Sequence, residues 1–169
     1  MKVEIDPRAR ATAAELQEQL RLGLEIFGEV HRARRALAEI GAVKKRLSEV
    51  KQQLAGKNPE ILEQVTAVET AIMHIERGSK APNATAGLET ASNGMSSALR
   101  VVEGSDRAIP SQAIDVYRES DDAAKRAIAE WSQIKAAELT KLNNALLHAG
   151  IDTIQVSEIE RAAEDFMTE

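Results

Sequence analysis

The residues best suited to acid–base or metal chemistry at neutral pH are the three histidines, His31, His74 and His148. Carboxylate-bridged metal centres in helical bundles use Glu-x-x-His, which puts both ligands on one inward helix face. Here Gly28, Ala71 and Ala145 stand three residues before the histidines, and no His-Glu-x-x-His occurs. No serine lies in Gly-x-Ser-x-Gly, and Asn93-Gly94-Met95-Ser96 falls inside a helical period. Glycine-rich phosphate loops are also missing from the sequence. With no Cys, thiol catalysis, disulfides and zinc–thiolate sites are excluded. Glu119, Asp121 and Asp122 cluster beside Tyr117 and read first as a solvated helix face, with a weak cation site as the alternative. The expectation is a protein that is not an enzyme, with no catalytic residue, no cofactor and no metal.

Charge gives two local asymmetries. Residues 29–51 carry seven basic side chains (Arg32, Arg34, Arg35, Lys44, Lys45, Arg46, Lys51) against three Glu, a balance of +4. Residues 152–169 carry six acids and one Arg, a balance of −5. No aromatic separates the basic residues to stack on a base, and the whole chain is at −5, so nucleic acid is not an expected partner. No window approaches the apolar length of a membrane span, so no membrane insertion is expected. The first residues lack the apolar centre of a signal peptide.

What must position any site is helical. Hydrophobic residues are 43% of the 169, but aromatics only 2%, and Ala, Leu, Glu, Lys, Arg and Gln dominate. Val3-Glu4-Ile5 alternates as a short strand closed by Asp6-Pro7. Thr12 and Glu15 have capping-box spacing. Leu16, Leu20, Phe27, Val30, Leu37, Ile40, Leu47, Val50 and Leu54 then recur at helical intervals up to Gly56. Such a helix would be roughly 65 Å long. Asn58, as N-cap, and Pro59 open a second helix ending at Gly78, and residues 78–87 read as a loop. A third helix stops at Gly104. A fourth opens at Pro110-Ser111, turns Ile114, Tyr117, Ala124, Ile128, Trp131, Leu139, Leu142 and Leu146 inward, and ends at Gly150. Ser157 and Glu160 mark a short helix in the acidic tail. The expected fold is all-α, an antiparallel up-down bundle of two long and two short helices plus a short C-terminal helix. Residues 1–11 form a linker, 12–150 the bundle and 151–169 the tail.

The unequal lengths have a consequence. In an up-down-up-down bundle the short helices cover half of the long pair, leaving 12–32 and 131–149 overhanging. The competing arrangement stacks helices two and three end to end, a three-helix rod without overhang. Apolar residues spill beyond one stripe in the overhanging part, which favours the first arrangement and calls for another neighbour. The expected interface is therefore Leu20, Leu22, Leu24, Ile26, Phe27, Trp131, Leu139, Leu146 and Leu147.

Three groups of residues carry a family likeness: Val3-Glu-Ile-Asp6-Pro7-Arg8 with Thr12-Ala-Ala-Glu15-Leu16-Gln17-Glu18-Gln19, Leu99-Arg-Val-Val-Glu-Gly104-Ser-Asp106 with Pro110-Ser111, and Trp131-x-x-Ile134 with Glu138-Leu139-x-x-Leu142-Asn143-x-x-Leu146. In these the chain resembles the C-terminal helical region of bacterial sortilin-like proteins with Asp-box (BNR) repeats, β-propeller proteins often labelled glycosyl hydrolases. Ala9 and Ser111 depart from the pattern, and no Asp-box repeat occurs. The resemblance implies an appendage of a secreted or envelope-associated parent, and no glycosidase activity attaches to these residues. The expected role is a non-catalytic module that packs on a preceding β-propeller domain or forms a homo-oligomer. The alternative is a ligand-binding or sensory bundle, with space left by Ala33, Ala36, Ala38 and Ala137.

Overall fold

The structure, a computed structural model, describes residues 11–54, 57–79, 85–104 and 108–156. The expected strand at Val3–Ile5, the stop at Gly56 and the tail helix from Ser157 lie outside them. The fold is an all-α bundle: α1 (Ala13–Gln53), α2 (Pro59–Arg77), α3 (Leu88–Glu103), α4 (Ser111–Ile134) and α5 (Thr140–His148). A single π turn, Lys135–Leu139, joins α4 to α5 in one continuous rod.

Local chemistry sets most boundaries. At the start of α1 the Glu15 amide donates to the Thr12 hydroxyl (3.2 Å) and the Thr12 amide to the Glu15 carboxylate (2.7 Å), closing the capping box. These bonds hold the Glu15 carboxyl below its ordinary range. Pro59 opens α2, but Asn58 does not cap it: its backbone is left-handed (φ 52) and its side chain makes no capping bond. The carboxyl end of α5 is a Schellman turn. Gly150 has φ +70, its amide donates to Leu147 and that of Ile151 to Leu146 (3.1 and 2.9 Å). The chain then folds back, and the Asn143 amide group grips the backbone of Ile154 on both sides (2.8 and 2.9 Å). Ile154 is thereby sealed into the core.

Helix α1 turns a seven-residue repeat inward. Ile26, Ala33, Ile40, Leu47 and Leu54 occupy one core position, and Leu22, Ala36, Val43 and Val50 the other, all buried. This is the spacing of a left-handed supercoil. Ion pairs give the register of its neighbours. Lys44–Glu76 (2.7 Å) and Lys51–Glu69 tie the carboxyl half of α1 to α2, antiparallel. Gln19 to the Val102 carbonyl and Arg34 to Ser96 tie the amino half to α3, also antiparallel. Helix α4 runs parallel to α1, with Tyr117–Glu25 and Trp131–Glu39 each 92 residues apart in sequence.

Helices α2 and α3 are therefore stacked end to end along α1, and the expected overhang is not what forms. The reason lies at the joint. Gly78 (φ +75) ends α2 and bridges back to Ala86, bringing the start of α3 against the end of α2. At Gly87 a Cβ would fall 2.2 Å from the Gly78 amide nitrogen and 2.2 Å from the Arg77 carbonyl carbon. Only glycine permits that backbone contact. Gly87→Ala is expected to destabilise the bundle by about 2–3 kcal/mol, read from urea unfolding. A loss below about 0.5 kcal/mol would show that the joint is not closely packed. With α3 taking over where α2 stops, α1 is flanked along its whole length.

The π turn has a sequence cause. Trp131 and Leu139 both belong in the core but are eight residues apart, which leaves them roughly 80° out of line in an α-helix. One wide turn absorbs the extra residue, and Leu139, Leu142 and Leu146 all return to the buried side. By register, this turn and the Gly78/Gly87 joint lie level with Glu39–Lys44 of α1, beside the exposed, helix-interior Gly41.

Candidate interaction face

The outermost positions of the α1 repeat, where polar residues belong, hold Leu20, Leu24 and Phe27. Their exposures are 65%, 64% and 51%. His31 continues the stripe one turn on, its ring tilted 51° against Phe27 at 4.2 Å. Beside the stripe, towards the end of α3, lies an open groove of about 420 Å³ lined by Leu16, Gln19, Leu20, Gly23, Phe27 and Glu103.

Charges border the other flank. Arg21 bridges Glu18 (2.7 Å) and Glu25 (3.0 Å), and Arg32 pairs with Glu29 (3.1 Å). The guanidinium of Arg21 holds the Glu18 carboxyl below its usual range, and its own proton is held more firmly by the same pair. Apart from the half-buried Glu29 these groups are exposed, so the pairs fix local side-chain arrangement more than they stabilise the fold.

Of the residues expected at an interface, Leu20, Leu24 and Phe27 are surface residues on one face. Leu147 is exposed too, at 68%, but on α5, roughly 45 Å along the rod. Leu22, Ile26, Trp131, Leu139 and Leu146 are corrected: they are buried in the chain's own core. Helix α3, stacked on the end of α2, and helix α4 cover Leu22 and Ile26, and the π turn sends Leu139 and Leu146 inward. The face is thus narrower than the apolar content of α1 suggests.

Sequence reasoning missed a buried polar clamp at the level of the π turn. The Trp131 Nε1–H donates to Glu39 Oε2 (3.0 Å), Lys135 Nζ reaches the same oxygen (2.9 Å), and Arg35 Nε lies 3.4 Å from Oε1. Lys135 also sits 5.7 Å from the centre of the Trp131 ring. The Glu39 carboxylate has its donors supplied from two helices, the arrangement of a structural tie. The eight-residue step from Trp131 to Leu139 signals the π turn but not the clamp. Nearer the amino end, the Tyr117 hydroxyl donates to Glu25 (3.0 Å), and burial, then the carboxylates of Glu25, Asp121 and Glu29, raise its pKa. Asp121 is buried and paired with Lys125 (2.6 Å), its second oxygen without a partner, while Glu119 and Asp122 point to solvent.

Among the described residues no three His, Asp or Glu side chains converge as metal ligands, and no helix is long and apolar enough to cross a membrane. The histidines are on α1, α2 and α5. Within the basic segment, Arg32, Arg35, Lys44, Arg46 and Lys51 each pair with a glutamate of the bundle. Ala33 and Ala36 are packed in the core. Comparison with known protein families, curated proteins and solved structures returns no match to this chain.

Proposed function

We propose that this chain is a non-catalytic helical module that works by protein–protein association, through the outer face of α1. The observation that carries the reading is the run Leu20, Leu24, Phe27 at positions the bundle itself does not use. Their cores are already served by Leu22 and Ile26, so burying them adds nothing to this fold and something to a complex. The resemblance to the helical region of sortilin-like BNR proteins supports placing the module on a larger propeller-type protein. Either packing on that body or self-association would use the same face.

Leu24→Asp separates an interaction face from a core. The variant is expected to unfold within about 0.5 kcal/mol of the parent chain, as exposed positions do. It is also expected to bind less of a hydrophobic dye and to lose association. A stability loss above about 2 kcal/mol would place Leu24 in the core and remove the reading.

A further inference from the structure

We infer that the groove between the α1 stripe and the end of α3 is the seat of a strap from this same chain, residues 3–10, which controls access to the interaction face. This rests on the interaction reading above and adds its regulation.

The first support is the alternation that leads into α1. Val3, Ile5, Pro7, Ala9 and Ala11 are apolar, and Lys2, Glu4, Asp6, Arg8 and Arg10 between them are charged. In an extended chain that period puts all five apolar residues on one edge. Pro7 fits such a segment, since an unpaired edge needs no amide from it. Ala11, the last of the five, is buried against the bundle. It directly precedes the Thr12 cap, the position whose contact with the fourth helical residue, here Leu16, fixes the angle at which a chain enters its helix. Leu16 is also the uppermost residue of the groove. The edge that ends on Ala11 is therefore aimed down it.

The second support is fit. From Ala11 back to Val3 an extended chain reaches roughly 26 Å. The groove runs roughly 17 Å, from Leu16 to Phe27. Its floor is bare at Gly23, inside a helix where glycine is disfavoured relative to alanine. A Cβ there would meet Val102 Cγ1 at 3.9 Å, an ordinary contact, so the bundle itself does not require the glycine. A bare floor does let a second backbone lie close. Charge agrees at the upper end. Gln19 donates to the Val102 carbonyl, which sets Glu103 level with the second turn of α1. Glu103 lines the groove and has no ion pair among the described residues. Arg8 and Arg10, on either side of Ala9, come to that height. Seated this way, the apolar edge lies over Leu20 and Phe27, and a partner gains the face only when the strap lifts.

The test uses the full chain, whose lack of cysteine allows a single spin label at Asp6→Cys, on the charged edge. The label should broaden the amide signals of Arg100 and Glu103 on α3 and spare Tyr117 and Asp121, across α1 on α4. Val3→Asp with Ile5→Asp should abolish that broadening and leave the melting curve intact. The same pair should raise hydrophobic-dye affinity about fivefold, because a closed strap lowers the fraction of chains open to the dye. Broadening equal on both sides of α1, or dye affinity indifferent to the double substitution, overturns the strap. Broadening that grows with protein concentration also overturns it, by placing the segment of a neighbouring copy in the groove. The interaction reading fails separately. Unfolding caused by Leu24→Asp alone removes the face, whereas a folded Leu24→Asp chain with weakened dye binding keeps the face whatever becomes of the strap.

Discussion

Trp131→Ala is expected to destabilise the bundle by about 4 kcal/mol, near the upper end for truncating a buried aromatic. Two losses combine. The indole is almost fully buried among α1 and α4 side chains, so its removal opens a cavity. Its Nε1–H also leaves Glu39, which then depends on Lys135 and Arg35 alone. Trp131→Phe divides the two: most ring volume stays and the donor goes, so about 1–2 kcal/mol should be lost. Urea unfolding of both variants with a shared slope is the measurement. Equal losses for Phe and Ala would show that packing contributes little and the polar tie nearly everything. Losses below about 1 kcal/mol for both would contradict the burial itself.

Deleting one residue should unfold this chain at one place and be tolerated at another. Removal of Arg126, mid-way along α4, turns the preceding core residues Tyr117, Ala123 and Ala124 by one helical step relative to Trp131. That loss is expected to exceed the whole stability of a domain this size, about 5–15 kcal/mol. Removal of Ala136 instead brings Trp131 and Leu139 to seven residues apart, two turns of an α-helix and the same repeat that α1 uses. The π turn closes into α-helix, and Leu139, Leu142 and Leu146 keep their places. The expected cost is about 1–2 kcal/mol. Circular dichroism melts of the two deletions decide the matter. Unfolding in both would show that the wide turn is required, not inserted.

The helices were legible because their punctuation is local. Thr12 with Glu15, Pro59, Gly78 and Gly150 act on the nearest turn, and the apolar period names each buried stripe. The stacking of α2 on α3 was not legible, because a loop at 78–87 fits a reversal and a coaxial step equally well. What decides is backbone contact between Gly87 and Gly78, a tertiary fact. For the same reason the period shows how much oily surface α1 carries without showing what covers it. Leu22 and Ile26 were therefore assigned to an interface and belong to the core, while Leu20, Leu24 and Phe27 lie on the surface. The Glu39–Lys135 tie joins residues 96 apart and leaves no mark in either segment. Asn58 shows the limit of residue type, since a favoured capping residue takes a left-handed backbone and leaves its side chain unused.

The joint between α2 and α3 shares its height with the wide turn after Trp131, so two of the three staves are interrupted in a single cross-section while α1 runs through it unbroken. A column built this way is stiff above and below and most compliant at its waist. The Glu39 tie spans that waist like a pin, and a load applied at the α1 tip would be felt there before it reached the far end.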